Sequence, residues 1–246
     1  MKLVLLGSGG YYAANNRHTA CLMLPEIGVV LDAGTGACRI GEYLATERLD
    51  IFLTHVHLDH VVGLTYLLAV VPKQVLDNTT VHGEAAKLTA LRQHLFAKEI
   101  FPVDPPFRFK ALSSSHPLPD GGTLIHFPLA HPGGSLGFRL DWPGHSMAYV
   151  TDTTAAPDAD YLETIRGVNL LVHECFFADD RDNMPAITGH SWLRPVCEVA
   201  AAAAVDQLVL VHMNPTANVA GDFDLAFARK LFANTEIGVD RTELEF

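Results

Sequence analysis

The stretch that most constrains this chain is Thr54-His55-Val56-His57-Leu58-Asp59-His60, where three imidazoles and a carboxylate fall within six residues. It follows the apolar run Ile51-Phe52-Leu53 and leads into an apolar, helix-like stretch from Val61 to Val71. A buried strand must therefore end, turn and hand over to a helix inside a few residues. Side chains two apart on extended backbone share a face, so His55 and His57 are expected to point the same way. Asp59 and His60, opening the helix, then reach a neighbouring position. Imidazole nitrogen and carboxylate oxygen together suit zinc or a similar divalent ion. A histidine run can also be a purification tag or a solvated loop, but this one is internal and flanked by regular structure.

Composition narrows the classes further. A chain of 246 residues, 49% hydrophobic, is long enough to bury a full core. Its net charge of −11 and scattered basic residues argue against generic nucleic-acid affinity, which rests on neutralising phosphates with Lys and Arg. Cys21, Cys38, Cys175 and Cys197 form no C-x-x-C pair, the pattern of free thiols in a reducing compartment. The apolar start Leu3-Val4-Leu5-Leu6 stops at Gly7, too short for a signal peptide, and no window approaches the ~18 apolar residues of a spanning helix. A soluble, cytoplasmic protein without a membrane partner is the expectation.

Along the chain, Leu3–Leu6 reads as a buried strand running into the turn Gly7-Ser8-Gly9-Gly10. The G-x-G-x-x-G spacing is incomplete and Tyr11–Arg17 is a poor helix, so the turn reads as structural rather than nucleotide-binding. Ala20–Leu24 and Val29–Asp32 look like a hairpin across Pro25–Gly28. Residues 39–47 read as helix, Leu49–Thr54 as the strand delivering the histidines, and Thr79–His82 as a short strand. Glu84–Ala97 is an amphipathic helix, with Leu88, Leu91, Leu95 and Phe96 on one side. Phe107-Arg108-Phe109-Lys110 alternates apolar and basic like a half-exposed strand, and a phosphate contact is the sharper version of that reading. Strands then recur at Leu124–Leu129, Leu136–Leu140, Met147–Val150, Leu170–His173 and Leu208–Val211. Between and after them, 158–166, 192–204 and 223–232 read as helices, and 237–246 as a closing strand region. There is no internal repeat or linker. The pattern implies one domain, residues 1–246, with two sheets packed face to face and helices outside.

Two adjacent cations need about three ligands beyond the first cluster, and three candidates stand at strand ends. His131 precedes Pro132-Gly133-Gly134, Asp152 follows Ala148–Thr151 and could bridge two ions, and His212 follows Leu208–Val211. Each is weak alone. Their order after H-x-H-x-D-H gives the combination its force.

That order resembles the metallo-β-lactamase-fold superfamily of metallohydrolases, whose five metal motifs match His55-x-His57-x-Asp59-His60, His131, Asp152 and His212 over essentially the whole length. The resemblance implies an α+β, four-layer αββα sandwich with a dinuclear site. It implies His55, His57 and His131 on one metal, Asp59, His60 and His212 on the other, and Asp152 between them. With His at 57 rather than Glu, and no Cys at a ligand position, the di-iron and β-lactamase branches match less well. Two zinc ions are the first expectation and manganese the second. Leu5-Leu6-Gly7-Ser8-Gly9, His173-Glu174-Cys175 and Gly189-His190-Ser191 resemble the branch of ribonuclease Z and related phosphodiesterases. Only 20 residues separate His131 from Asp152, too few for the inserted tRNA-gripping arm of long-arm forms.

The implied chemistry is phosphodiester cleavage by a hydroxide shared between two metals. Asp59 would also orient that hydroxide, and His190 would sit near the leaving oxygen with Glu174 or His173 holding its ring. A small phosphodiester or an RNA 3′ end is the expected substrate, and a homodimer is implied by resemblance alone. A second reading keeps the fold and attacks a carboxylic ester, lactone or thioester. A third, a zinc-stabilised binding module, conflicts with the site's chemistry, because structural zinc sites are closed and thiolate-rich. His18, His82, His94, His116 and His145 are read as packed or surface residues, with a substrate contact the sharper reading for His18.

Overall fold

A computed structural model describes residues 1–14, 16–179, 183–217 and 219–246. Asn15, within the Tyr11–Arg17 stretch, lies outside the described residues. The chain divides into two compact units: Met1–Ser114 with Asp240–Glu245, and Ser115–Val239 with Phe246.

The first unit is built on a seven-stranded sheet. Its strands are β1 (Lys2–Gly7), β2 (Cys21–Leu24), β3 (Val29–Leu31), β4 (Leu49–Phe52), β5 (Thr79–Gly83), β6 (Arg108–Ala111) and β14 (Glu243–Glu245), in the order β14-β1-β2-β3-β4-β5-β6. The β1–β2–β3 end is antiparallel, whereas β3 to β6 run parallel. Val4, Leu6, Met23, Val30, Ile51 and Val81 form one apolar face against Ile40, Val61, Leu64 and Leu67 of short helices. The alternate residues Leu3, Leu5, Leu22, Leu31 and Phe52 are buried as well, so the sheet is covered on both faces.

The second unit repeats this scheme with β7 (Ser115–Pro117), β8 (Thr123–Leu129), β9 (Ser135–Trp142), β10 (His145–Val150), β11 (Leu170–Glu174), β12 (Gln207–Val211) and β13 (Thr235–Ile237), in the order β13-β12-β11-β10-β9-β8-β7. Here β10 to β13 are parallel and β7 to β10 antiparallel. Ala148, Val150, Leu171, Leu208 and Leu210 pack against Val196, Val199 and Ala200 of the helix Leu193–Ala202.

Strands match the sequence reading better than helices do. The 39–47 helix shortens to Ile40–Tyr43, 158–166 to Leu162–Ile165, and 223–232 to Leu225–Leu231. The Val61–Val71 helix breaks into Leu58–Val61, a tighter turn Val62–Thr65, and Leu67–Val70. Glu84–Ala97 is α-helical over Ala85–Ala90 and widens to a π-helical turn at Leu91–Leu95. Residues 237–246 do not form one strand: Thr235–Ile237 closes one sheet and Glu243–Glu245 the other.

Candidate metal and active site

In the first unit the histidine strand ends at Phe52, two residues earlier than expected, and the chain turns before the helix Leu58–Val61. His55 and His57 still face one another, with ring centroids 4.5 Å apart, and the His55 and His60 rings lie 4.2 Å apart. What orients His55 and His60 is Asp32, a residue absent from the sequence-derived set. It leaves β3 in the left-handed region (φ 59°) with its carboxylate fully buried. Burial of an unpaired carboxylate is costly, and here three donors offset it. The Thr54 amide and hydroxyl donate to Oδ1 at 2.8 and 2.9 Å, and His60 Nδ1 lies 2.9 Å from Oδ2. The signal for Asp32 was present: a lone carboxylate closing the apolar run Val29-Val30-Leu31.

Glycines make this turn possible. A Cβ on Gly34 would come within 2.1 Å of the Asp59 carbonyl oxygen, and one on Gly63 within 2.0 Å of the Gly34 carbonyl oxygen. The close approach lets the Ala33 amide donate to the His60 carbonyl and the Gly63 amide to the Ala33 carbonyl, both at 2.8 Å.

The partners also fix which imidazole nitrogen is available. His60 Nδ1–H donates to Asp32, which can only accept, leaving Nε2 with its lone pair outward. Because the Thr54 hydroxyl donates to Asp32, it accepts from His55 Nδ1–H at 3.0 Å, and His55 is likewise left with Nε2. Asp59 Oδ2 accepts the Tyr11 amide at 2.8 Å and stands 3.5 Å from His60 Nε2.

In the second unit the candidates stand where strands end. His131 follows β8, and its Nδ1–H donates to the Gly189 carbonyl at 2.8 Å, again leaving Nε2. Asp152 follows β10, and its two oxygens serve two different rings. Oδ2 lies 3.7 Å from His131 Nε2 and Oδ1 3.3 Å from His212 Nε2, with all three side chains 2–3% exposed. His212 leaves β12 in the left-handed region, φ 59°. The Ser135 hydroxyl anchors the Asp152 carbonyl at 2.7 Å.

Beside these lie the predicted Glu174 and His190. Glu174 is fully buried at the end of β11, where its carboxylate accepts three amides: Thr153 at 3.1 Å, Ser191 at 2.8 Å and Phe176 at 3.0 Å. His190 Nδ1 is 3.4 Å from Glu174 Oε1, and its ring stacks on Phe176 (4.7 Å, 19°) and lies near-parallel to His212 (5.4 Å, 24°). Of the two expected supports for His190, only Glu174 stands beside it. His173 turns away: its Nδ1–H donates to the Glu174 carbonyl at 2.7 Å and its Nε2 accepts the Tyr161 hydroxyl at 3.0 Å. Burial lowers the His173 pKa and raises that of Tyr161 above its ordinary value.

The donor set fits a divalent cation. Charge-assisted hydrogen bonds run at about 2.7–2.9 Å, whereas the His60–Asp59, His131–Asp152 and His212–Asp152 pairs are 3.5, 3.7 and 3.3 Å apart. Two donors each about 2.1 Å from a tetrahedral ion sit roughly 3.4 Å from each other. Histidine nitrogen and carboxylate oxygen without thiolate are the donors of a catalytic rather than a structural site.

Three other histidines have described contacts. His82 bonds Asp50 at 2.8 Å and stacks on Phe52, and His145 stacks on Trp142. The His18 amide is tied to Asp240 at 2.7 Å. All four cysteines are free, and burial pushes the Cys197 thiol up to about 11. Among the described residues, no helix is long and apolar enough to cross a membrane.

Comparison with known proteins agrees with this geometry. Residues 29–213 match the model of the Beta-lactamase superfamily domain. Ribonuclease Z of Methanosarcina acetivorans is 25% identical over 300 aligned positions, covering 100% of this chain and 98% of that protein. An alignment of 300 positions against 246 residues leaves at least 54 positions of that relative without a counterpart here. Among solved structures, the metallo-beta-lactamase fold protein YhfI from Bacillus subtilis superposes with a TM-score of 0.81 at 18% identity, over 99% of each chain. The short form of human tRNase Z gives 0.77 at 20% identity, over 100% of this chain and 99% of that one.

Proposed function

This chain belongs to the beta-lactamase superfamily, with relatives in its ribonuclease Z-like branch, and on that premise we propose that it is a metal-dependent phosphodiesterase. His55, His57 and His131 would hold one cation, Asp59, His60 and His212 a second, and Asp152 both; zinc suits these donors best and manganese next. Such a pair lowers the pKa of a water toward neutrality and stabilises charge on phosphoryl oxygens.

The chain's own residues supply orientation and protons. Asp32, Thr54 and the Gly189 carbonyl hold the imidazoles with Nε2 outward. Asp59, steadied by the Tyr11 amide, orients the attacking water. His190 is held face-on by Phe176 and edge-on by Glu174. Its Nε2 would give a proton to the leaving oxygen. Glu174 is a positioning residue, itself fixed by three amides.

The observation that carries the reading is Asp152, whose two buried oxygens each face the Nε2 of a different histidine. The 20 residues between His131 and Asp152 are taken up by the β9–β10 hairpin, which favours an RNA 3′ end gripped without an arm, or a smaller phosphodiester. The test is a substrate panel on metal-analysed protein: bis-p-nitrophenyl phosphate and a 3′-extended pre-tRNA against a lactone and a thioester. Turnover of the phosphodiesters is expected. Turnover confined to the lactone or thioester would replace this reading with a carboxyl-ester hydrolase of the same fold.

A further inference from the structure

Arg39, Arg48, Arg139, Arg166, Arg194 and Arg241 each pair with a carboxylate, as expected where acidic residues outnumber basic ones 28 to 17. Arg92 and Arg108 do not, nor does Arg229, which donates to the Thr235 carbonyl at 3.0 Å. Among the described residues neither Arg92 nor Arg108 has a carboxylate at ion-pair distance, and both line one open cavity of about 590 Å³ in the first unit. Arg108 donates only a long bond, 3.3 Å, to the Asp77 carbonyl, and the Arg92 guanidinium lies over the Phe109 ring at 5.9 Å. The wall behind them is aromatic: the buried Phe96 and Phe107 and the half-buried Phe109 meet edge-to-face with centroids 5.5–6.0 Å apart. Asp104 lines the cavity too, one carboxylate against two guanidiniums.

Two features mark the place as more than solvated surface. Arg92 lies in the π-helical turn Leu91–Leu95, a wound-out geometry that recurs at functional sites. Arg108 opens β6, the last strand of its sheet, so the cavity borders a free edge. Guanidiniums that donate to phosphate beside a half-buried aromatic ring, here Phe109, are equipment for single-stranded nucleic acid, with a base stacking and the backbone tracked by charge.

We infer that this cavity is an auxiliary binding site for a single-stranded stretch of an RNA substrate. The inference rests on the phosphodiesterase reading and narrows its substrate class. Arg108 pairs in register with Thr80, and Thr80 with Asp50, five residues before His55. Two strand spacings across and five residues along put the cavity roughly 15–20 Å from the His55 cluster. A small phosphodiester cannot reach from one to the other, and a polynucleotide can. The site supplies locally the cationic grip that the acidic chain lacks overall.

The test titrates metal-loaded protein with a short fluorescein-labelled oligouridylate carrying phosphorothioate linkages, read by anisotropy. The Arg92→Ala/Arg108→Ala double variant is expected to bind at least about tenfold more weakly. Its slope of log affinity against log salt should fall by about 1.4, the share of two lost phosphate contacts to a single strand. Turnover of bis-p-nitrophenyl phosphate should stay within about twofold of wild type, because neither arginine touches the small ester. Unchanged oligonucleotide affinity in the double variant, or equal displacement by an acidic phosphopeptide, would overturn the inference. A wild-type protein inert to every phosphodiester would sink the active-site reading instead, and the anisotropy difference would then decide the auxiliary site alone.

Discussion

In the first unit four candidate ligands stand within six residues, and one carboxylate, Asp32, orients two of them, His55 through Thr54 and His60 directly. In the second, three candidate ligands are spread from position 131 to position 212 and are brought together by strand order. The two solutions share a device. Each unit places chemical residues at the ends of its parallel strands: Asp32 after β3 and the histidine cluster after β4, Asp152 after β10, Glu174 ending β11 and His212 after β12. Parallel strands converge their carboxyl ends on one edge, where open sheets bind ligands. In each unit the residue leaving one such strand, Asp32 or His212, is left-handed at φ 59°. Such a backbone costs about 1–3 kcal/mol and is kept where function over-determines it. Ligands close in sequence need an outer carboxylate to aim them; ligands distant in sequence are aimed by the sheet.

Substitutions can break that comparison, beginning with the largest effect. Asp152→Ala removes the carboxylate whose two oxygens face two different rings, and should cut hydrolysis by at least roughly 10³-fold with loss of bound metal by elemental analysis. A variant retaining two metal equivalents and near-normal turnover would show that the second unit's convergence is not functional. His190→Ala should lower kcat by about 10²–10⁴ with metal content unchanged, since it deletes a proton donor and no ligand. Unaltered turnover would remove His190 from the chemistry.

Asp32→Asn tests the other half. An outer-shell partner typically contributes about 10–100-fold in metal affinity or activity, so the first unit should weaken without losing its ligands. An effect as large as that of Asp152→Ala would mean that Asp32 is a ligand rather than the residue that aims one.

The smallest expected effect is in stability. His173 is buried neutral, giving a proton to the Glu174 carbonyl and accepting one from Tyr161, so burial depresses its folded-state pKa. The unfolded chain then takes up the extra proton first, and the His173 contribution is intact above about pH 6.5 and lost as pH falls below it. A His173→Gln variant should show a shallower acid limb in melting temperature between pH 7 and 5. An unchanged limb would assign the acid sensitivity elsewhere.

The difference between the units also explains what could be read from the sequence. The first cluster was legible because its spacing is local. His131, Asp152 and His212 were legible only as a set, because a polar residue at a strand end is common and the order gives it meaning. Asp32 escaped because it was counted as the last residue of a strand, and its role depends on a turn closed by Gly34 and Gly63 against backbone that sequence spacing does not reveal. Short helices were overestimated for a similar reason. The Val61–Val71 pattern is apolar enough for a helix, but the tight Gly63–Gly34 approach breaks it after one turn. Most strands, set by buried runs, fall close to their expected positions, but the short Ser115–Pro117 strand has no counterpart in the sequence reading and the 237–246 region divides between Thr235–Ile237 and Glu243–Glu245.

The most direct test is an anomalous-scattering crystal structure of the zinc-loaded protein. Two peaks are expected, each about 2.0–2.2 Å from its histidine and carboxylate donors, with Asp152 contacting both. A single peak, or two peaks with Asp152 contacting neither, would contradict this dinuclear arrangement.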